Sequence, residues 1–274
     1  MPGVMRGTSR ASLAAVARRW EPVASAAGDE ALRLADELFA LVDALDSSGS
    51  LRRVLADPSS EPEVKAAVVT RLLQRADPRT VAVATDLVGA RWSADRDLAD
   101  AAQRLGVDAV LTAAEQAGQL DVVGDELFVI TRALAGQREL RRTLHDPTVP
   151  PDQRAALIDA VLGGRAMPST RALARRAAAA PRGRRFVAQL GDVMDLIAER
   201  FNRRVATVTV AAPLDGAQSE RLASLLATAL GRQVELNVIV DPTVVGGLRV
   251  QSGPDVIDAT VLARLADARR RLAS

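Results

Sequence analysis

Residues 36–73 read DELFALVDALDSSGSLRRVLADPSSEPEVKAAVVTRLL, and residues 125–162 read DELFVITRALAGQRELRRTLHDPTVPPDQRAALIDAVL. The two stretches align without a gap at an offset of 89 residues, and 16 of the 38 aligned positions are identical. Self-similarity at a fixed spacing is the sequence signature of a repeated structural unit. The chain therefore contains two copies of one unit, which we call copy one and copy two.

Each copy has the periodicity of amphipathic helices. In copy two, Leu127, Ile130 and Leu134 recur at the spacing of one helix face, and Leu157 and Val161 belong to a second such face. The predicted helices are short, so they must be stabilised by packing against one another in a bundle.

Proline marks the helix boundaries at matching places in the two copies. The Asp-Pro steps at 57–58 and 146–147 each end a helix, because the residue before proline is pushed out of the α conformation. Pro62 and Pro151 then suit the first turn of the next helix. We place the boundary between the copies near residue 101.

The C-terminal part of the chain has a different pattern. From about Arg204 the helical period gives way to alternation, and residues 205–210 (VATVTV) and 234–240 (VELNVIV) are predicted strands, with a third at 248–251. A helical stripe separates the first two strands, and another covers the last residues from Val261 to Leu272. The order β-α-β-β-α predicts a small α/β domain.

A turn joins the second and third predicted strands. Residues 240–247 read VDPTVVGG, in which Asp and Pro form turns and the adjacent glycines allow positive φ. We expect this loop to fold the chain back, so that Leu248 and Val250 pair with the preceding strand. Asp258 is placed to cap the last helix.

The predicted fold is mainly α: two tandem copies of a helical-bundle domain followed by a small α/β (β-α-β-β-α) C-terminal domain. The predicted domains are residues 1–100 for copy one, 101–203 for copy two and 204–274 for the C-terminal domain. Aromatic residues make up only 2% of the chain, so the core must be built from small aliphatic side chains. Such cores suit helix-on-helix packing.

The composition argues against nucleic-acid binding, despite an isoelectric point of about 10.1. The formal net charge is only +2, and Lys65 is the single lysine. Because the chain has no Tyr and no Cys, few groups titrate between neutral pH and the pKa of arginine, and a small excess of arginine raises the isoelectric point.

One local group of arginines lacks the interleaved aromatic residues that a base-stacking surface needs. It consists of Arg175, Arg176, Arg182, Arg184 and Arg185. We interpret the group as a solvated helix face or loop. RNA, anionic lipid or an acidic protein partner are the alternatives.

No motif for catalysis, metal binding or cofactor binding is found in the sequence. The absence of Cys excludes disulfides, thiolate nucleophiles and Cys-ligated metals. His145 is the only histidine, and Ala56 replaces it in copy one, so we interpret it as an incidental helix-end residue. The glycine pairs 163–164 and 246–247 lack the phosphate-loop pattern. We therefore expect no enzymatic activity and no cofactor.

The sequence predicts no membrane-spanning helix, since it has no run of 18 or more apolar residues. The first 20 residues, MPGVMRGTSRASLAAVARRW, are too interrupted and too rich in arginine for a secretory signal. We expect no direct membrane insertion, and a peripheral position beside a membrane stays open.

The C-terminal residues carry a family pattern. It consists of Ala-x-Pro-Leu after a strand, Val-Asp-Pro running into Gly-Gly, and Gly-x-x-Val-Ile-Asp before a final helix. The matching residues are Ala211, Pro213, Leu214, Asp241, Pro242, Gly246, Gly247, Gly253, Ile257 and Asp258. On these residues the chain resembles the delta subunits of F-type ATP synthases, whose mitochondrial counterpart is the oligomycin-sensitivity-conferring protein. Copy two also resembles the all-α N-terminal domain of that family, and the duplication makes this chain longer by one repeat.

The resemblance implies a non-catalytic stator subunit at the cytoplasmic face of the bacterial plasma membrane. In the family, the helical domain binds N-terminal helices of the alpha subunits of the catalytic head, and the C-terminal domain meets the b-type peripheral stalk. Copy two directly precedes the C-terminal domain, as in the family, and a helix laid in an apolar groove is a common mode of recognition. The candidate lining residues of that groove are Leu127, Ile130, Leu134, Leu157 and Val161.

Two other functions stay open from the sequence. The chain could be a helical adaptor or regulator with a different protein partner, or a nucleic-acid-binding protein, which only the isoelectric point suggests. For copy one, we hypothesise an added contact along the stalk or the side of the head. Deleting residues 1–100 would then weaken assembly without unfolding the rest.

Overall fold

The computed structural model describes residue 5 and residues 7–230, 234–241, 244, 246–252 and 255–259. The chain divides into a helical unit, residues 1–194, and a C-terminal unit, residues 195–274. The helices are α1 (Gly7–Ala26), α2 (Ala31–Ser47), α3 (Gly49–Ala56), α4 (Pro62–Leu72), α5 (Pro78–Gly89), α6 (Asp95–Gln116), α7 (Leu120–Ala135), α8 (Arg138–His145), α9 (Pro151–Leu162), α10 (Pro168–Ala179), α11 (Phe186–Arg204) and α12 (Gly216–Leu230). The strands are β1 (Val205–Val210), β2 (Glu235–Val240), β3 (Leu248–Ser252) and β4 (Asp255–Asp258).

The prediction of a mainly α fold with a C-terminal α/β part is confirmed. The sequence repeat is also a repeat of helices: α3 and α8 differ by 89 residues at both ends. The helices α1, α2, α4 and α5 likewise correspond to α6, α7, α9 and α10, each boundary agreeing with that offset within one residue. Copy one thus comprises α1–α5, and copy two comprises α6–α10.

The helix α6 is the centre of the helical unit. Twelve of its 22 residues are buried, in a nearly continuous run from Leu98 to Ala114. It packs against α1, α2, α3 and α5 of copy one and against α7 and α10 of copy two. A helix that is apolar on most of its circumference belongs in the interior of a bundle. The predicted boundary near residue 101 lies inside this helix, and the division into domains 1–100 and 101–203 stays a prediction.

The Asp-Pro steps end helices in both copies, as predicted. Asp57 and Asp146 are extended residues that follow α3 and α8. Each carboxylate accepts hydrogen bonds from a hydroxyl and a main-chain N–H two residues further on, in Ser59 and Thr148. These bonds lower the pKa of both aspartates. In both copies a proline five residues later occupies the first turn of the next helix.

A glutamate of the repeated DELF motif fixes the start of a neighbouring helix in each copy. Glu37 accepts hydrogen bonds from the N–H of Asp77 (3.0 Å), the residue that caps α5, and from the hydroxyl of Thr80 (2.6 Å). Glu126 accepts one from the N–H of Met167 (3.0 Å), which precedes α10. A carboxylate is favourable at a helix N-terminus, where N–H groups lack partners. The repeated motif therefore sets the position of α5 and of α10.

The strands of the C-terminal unit form one sheet in the order β2-β1-β3-β4. β2 is parallel to β1, and α12 connects them, because a parallel pair needs a crossover. β3 is antiparallel to β1, with Val210 opposite Leu248 and Val208 opposite Val250. The prediction that the third strand pairs with the second is wrong. β2 occupies one edge of β1, and the chain returns to the other edge.

The apolar residues of the sheet and α12 pack together in a small core. It contains Ala206, Val208, Val210, Leu226, Val234 and Val250. The strand β4 was not predicted, since its residues Asp255–Asp258 were interpreted as the lead into a final helix. That predicted helix, from Val261 to Leu272, lies outside the described residues, and so do Pro242 and Gly253.

Candidate partner-binding surfaces

The structure places the five predicted groove residues in two different environments. Leu127, Ile130 and Leu134 are buried on the inner face of α7. On α9, Leu157 is half-buried and Val161 is exposed. The three α7 side chains stabilise the bundle, so they are not accessible to a partner in this structure. The sequence pattern identifies the core face of α7, and the accessible apolar side chains lie beside it.

The accessible apolar side chains of α7 are Phe128 and Val129, which are 51% and 62% exposed. Phe128 belongs to the same DELF motif as Phe39, its equivalent in α2, and yet Phe39 is only 5% exposed. The two phenylalanines end the same DELF motif and lie in equivalent helices of the repeat. Their environments differ because other helices cover the α2 side chain.

Two residues of copy two cover Phe39. Gly106 of α6 lies against the ring so closely that a Cβ atom at this position would be 2.8 Å from Cδ1 of Phe39. The guanidinium carbon of Arg176, on α10, lies 4.7 Å from the ring centroid, the geometry of a cation–π contact. A glycine beneath the ring and an arginine over it thus hold the outer face of α2 against copy two.

Arg176 is the most buried arginine of this contact, with a side chain 7% exposed. Nη1 donates to Oδ1 of Asp43 (2.7 Å), and Nε donates to Oε1 of Gln103 (2.9 Å). Burial lowers the pKa of Arg176, against the opposing effect of Asp43. Next to it, Arg182 forms ion pairs with Asp46 and with Asp100, the latter at 2.8 Å.

The interpretation of the arginine group as a solvated face is therefore wrong for Arg176 and Arg182, whose side chains are 7% and 12% exposed. Arg176 and Arg182 join copy two to α2 and α6, Arg175 pairs with Asp159, and Arg184 pairs with Asp192. Arg185 is exposed. A sequence shows which residues are charged, but the carboxylates that pair with them are up to 136 positions away.

Two clefts of the helical unit share part of their lining by the repeat, since one uses the helix pair α4 and α5 and the other the equivalent pair α9 and α10. The copy-one cleft, with a volume of about 460 Å³, lies between α1, α4 and α5. The copy-two cleft, with a volume of about 620 Å³, lies between α9 and α10, and α2 of copy one forms its other side. The linings share equivalent positions: Ala66 and Ala90 in copy one correspond to Ala155 and Ala179 in copy two.

The walls of the two clefts differ in chemistry. The copy-one cleft is lined mainly by small residues, among them Ala15, Ala66 and Gly89. Its charged lining residues are Glu63 and the ion pair of Arg19 with Asp86. The copy-two cleft contains three arginines and three aspartates. They are Asp36, Asp43, Asp159, Arg171, Arg175 and Arg176. Burial raises the pKa of Asp36.

The family-motif residues of the C-terminal unit lie mostly at turns and on exposed positions. Gly246 and Gly247 have φ of +74° and +82°, so they need the freedom of glycine, as predicted. The N–H of Asp241 donates to the carbonyl of Val210 (2.8 Å), which fixes the end of β2 beside β1. Ala211, Pro213 and Asp258 are exposed, Leu214 packs against the sheet core, and Ile257 is 44% exposed.

The fold defines a class of protein: a helical-repeat protein with a small α/β unit. Among the described residues, no group of three or more His, Asp and Glu side chains could hold a metal ion. No helix in the described part of the chain is long and apolar enough to cross a membrane.

Residues 107–272 match the family model described as ATP synthase delta (OSCP) subunit, and the chain belongs to that family. It is 50% identical over 273 residues to an ATP synthase subunit delta of Beutenbergia cavernae, with 98% of this chain and 100% of the relative covered. It is 46% identical to that of Kineococcus radiotolerans, covering 97% of both chains, and 45% identical to that of Streptomyces avermitilis, covering 98% of both. The resemblance to the delta subunits of F-type ATP synthases is confirmed. The alignments with these relatives also cover copy one.

Proposed function

We propose that this chain is a non-catalytic stator subunit of a proton-translocating F-type ATP synthase, where it links the catalytic head to the b-type peripheral stalk and resists the torque of the rotor. The observation that carries the proposal is the similarity to ATP synthase delta subunits over 98% of the chain, which covers both copies and the C-terminal unit. We place the protein at the cytoplasmic face of a bacterial plasma membrane, held there through the complex.

The partners proposed are the N-terminal helices of the alpha subunits for the helical unit and the b-type stalk for the C-terminal unit. The copy-one cleft is the more open site for such a helix. Its small residues Ala15, Ala66 and Gly89 allow a close approach of two helix backbones. In copy two, the equivalent position is flanked by α2, and Arg171 and Arg175 there are already paired with Asp159.

Calorimetry with the full-length chain and the N-terminal peptide of its cognate alpha subunit tests this proposal. We expect saturable one-to-one binding. Ala15→Glu puts a charge into the copy-one cleft and should weaken binding about tenfold or more, the usual effect of a central interface change. Ala172→Glu is the matched control, because Ala172 is also half-buried and lines the copy-two cleft.

The outcomes separate the alternatives. Loss of binding in the Ala172→Glu variant alone would move the site to copy two, where the sequence pattern predicts it. If the folded wild-type chain binds no alpha-subunit peptide, the proposed contact with the head is wrong, and an adaptor with another partner becomes the better account.

A further inference from the structure

We infer that α7 and α8 of copy two carry a second docking surface, which binds an acidic amphipathic helix of another subunit in the complex. We call it the α7–α8 surface. It consists of the exposed residues Phe128, Val129, Arg132, Arg138, Arg141 and Arg142. The inference rests on the proposed function, because that function supplies the complex in which the partner is found.

The first observation is the unequal burial of one repeated phenylalanine. In copy one, the ring of Phe39 is covered by a helix that presents Gly106 and by the guanidinium of Arg176. Its equivalent Phe128 is 51% exposed, and the guanidinium carbon of Arg132, from its own helix, lies 5.8 Å from the ring centroid. An exposed Phe next to an exposed Val, at a position where the other copy binds a helix, indicates a docking face.

The second observation is an inversion of charge at equivalent positions. In α2, Asp43 lies one turn after Phe39, and it pairs with Arg176 of α10, one of the two helices that cover Phe39. In α7, the equivalent position after Phe128 is Arg132. Where an aspartate selects a basic helix in copy one, an arginine selects an acidic helix in copy two.

The charge of α8, the helix after α7, also favours an acidic partner helix. Residues 39–56 of copy one contain two arginines and two aspartates, whereas the equivalent residues 128–145 contain four arginines and one glutamate. Arg138, Arg141 and Arg142 are exposed along α8, which packs against α7. The apolar pair therefore has a basic border on its C-terminal side, which fits an amphipathic helix with Asp or Glu beside its apolar stripe.

The packing around Phe39 in copy one also predicts which residue type the partner helix presents. Gly106 is the residue that lets α6 approach Phe39 closely. The partner helix is therefore expected to present Gly or Ala opposite Phe128. This surface is separate from the two clefts, because none of its six residues lines either of them.

Photo-cross-linking in the assembled complex tests the inference. A tagged full-length chain with p-benzoylphenylalanine at position 128 is used to purify the ATP synthase, and the irradiated product is mapped by mass spectrometry. We expect a cross-link to a helical segment of another subunit that has Gly or Ala and flanking acidic residues. Arg141→Glu with Arg142→Glu should lower the cross-link yield about fivefold, since two exposed ion pairs are lost. Arg10→Glu, a charge reversal at an exposed position of α1, should leave it unchanged.

The results distinguish failure of the inference from failure of the proposed function. If the tagged chain recovers the synthase but position 128 cross-links only to lipid, only to this chain, or to nothing, the α7–α8 surface has no helix partner. If the tagged chain recovers no synthase subunit, the proposed function and the inference are both wrong.

Discussion

At the scale of single residues, Gly106 and Phe39 decide how the two copies meet. The ring of Phe39 occupies the space that a side chain at Gly106 would need. Both residues are buried, and they belong to α2 and α6, which pack along each other. A glycine in the middle of a long helix lowers helix stability by about 1 kcal/mol relative to alanine, so its presence in α6 reflects packing rather than helix propensity.

We predict that Gly106→Ala destabilises the protein by about 1–2 kcal/mol, because overpacking costs more than the gain in helix propensity. Urea unfolding followed by circular dichroism measures the change. Gly191→Ala in α11 is the control: a Cβ there meets no atom within 4 Å, so the same substitution should stabilise by up to about 1 kcal/mol. Equal effects of the two substitutions would contradict the packing argument.

Arg176 is the second residue on which the contact depends. Arg176→Ala removes the ion pair with Asp43, the hydrogen bond to Gln103 and the cation–π contact with Phe39. We expect a loss of about 2–3 kcal/mol in the free energy of unfolding, which is less than for a fully buried pair because Asp43 is 59% exposed.

The control for Arg176→Ala is Arg171→Ala, measured in the same urea unfolding experiment. The side chain of Arg171 is 55% exposed, and its partner Asp159 keeps Arg175. We expect that variant to lose less than about 1 kcal/mol. If Arg171→Ala lowered the free energy of unfolding as much as Arg176→Ala, the larger contribution of Arg176 could not be due to burial of its guanidinium.

At the scale of helices and strands, the residue that caps α5, Asp77, makes the stability of the protein depend on pH. Its carboxylate accepts hydrogen bonds from the side chain and N–H of Arg79 and from Arg33, and these hold the pKa of Asp77 well below its usual range. A carboxyl group with a depressed pKa in the folded state stabilises the protein above its unfolded pKa of about 3.9. That contribution is lost as the pH falls from there towards the folded pKa.

We predict that Asp77→Asn lowers the free energy of unfolding by about 1 kcal/mol at pH 7, since a charge-assisted bond is lost while the cap is kept. The difference from the wild type should shrink as the pH falls below about 4, where the wild-type carboxyl loses its advantage. Unfolding curves of both proteins between pH 7 and pH 3 measure it. A difference that stays constant over this range would mean that the charge of Asp77 does not contribute.

Local sequence predicted the elements well, for physical reasons. Helix ends at the Asp-Pro steps depend on neighbouring residues alone, and so does the alternation of 205–210, which is β1 with the same bounds. The cap of α12 was detectable in the same way but was missed: Asp215 accepts from the N–H of Gln218 (2.7 Å), and the Gln218 side chain accepts from the N–H of Asp215 (3.0 Å).

Features that depend on distant residues could not be predicted. The repeated DELF motif is identical in both copies, but Phe39 is buried and Phe128 is exposed because of helices far along the chain. The same reason explains why β3 pairs with β1, and why Leu127 proved to be a core residue. A periodic stripe shows which face of a helix is apolar, but it does not show whether that face is covered by its own bundle or left for a partner.

At the scale of the whole molecule, the shared helix α6 makes the helical unit one structure. It belongs to copy two by sequence and packs against four helices of copy one. Deletion of residues 1–100, which we predicted to weaken assembly without unfolding the rest, would cut inside α6 and uncover its buried residues Leu105 and Val110. We now expect that truncated chain to aggregate, so point variants are the better probes of copy one.

We predict that the two copies unfold together. Both tryptophans are buried, but the indole N–H of Trp20 donates to the carbonyl of Leu105 in α6 (3.2 Å), whereas that of Trp92 donates to the carbonyl of Leu87 in α5 (2.8 Å). The experiment therefore uses a Trp20→Phe variant, in which the fluorescence of Trp92 reports copy one. Far-ultraviolet circular dichroism reports the helices of both copies. The two signals should give the same midpoint in urea, because unfolding of copy one removes the partners of α6. A fluorescence transition clearly earlier or later than the loss of helix would show that the copies are independent.

The central claim is that this chain couples the catalytic head to the stalk, and reconstitution tests it most directly. An F-type ATP synthase is assembled in vesicles with and without the purified chain, and ATP hydrolysis and ATP-driven proton pumping are measured side by side. The account predicts that without the chain the head hydrolyses ATP but does not stay bound or pump, and that adding the full-length chain restores both binding and pumping. Equal pumping in the presence and absence of the chain would contradict the account.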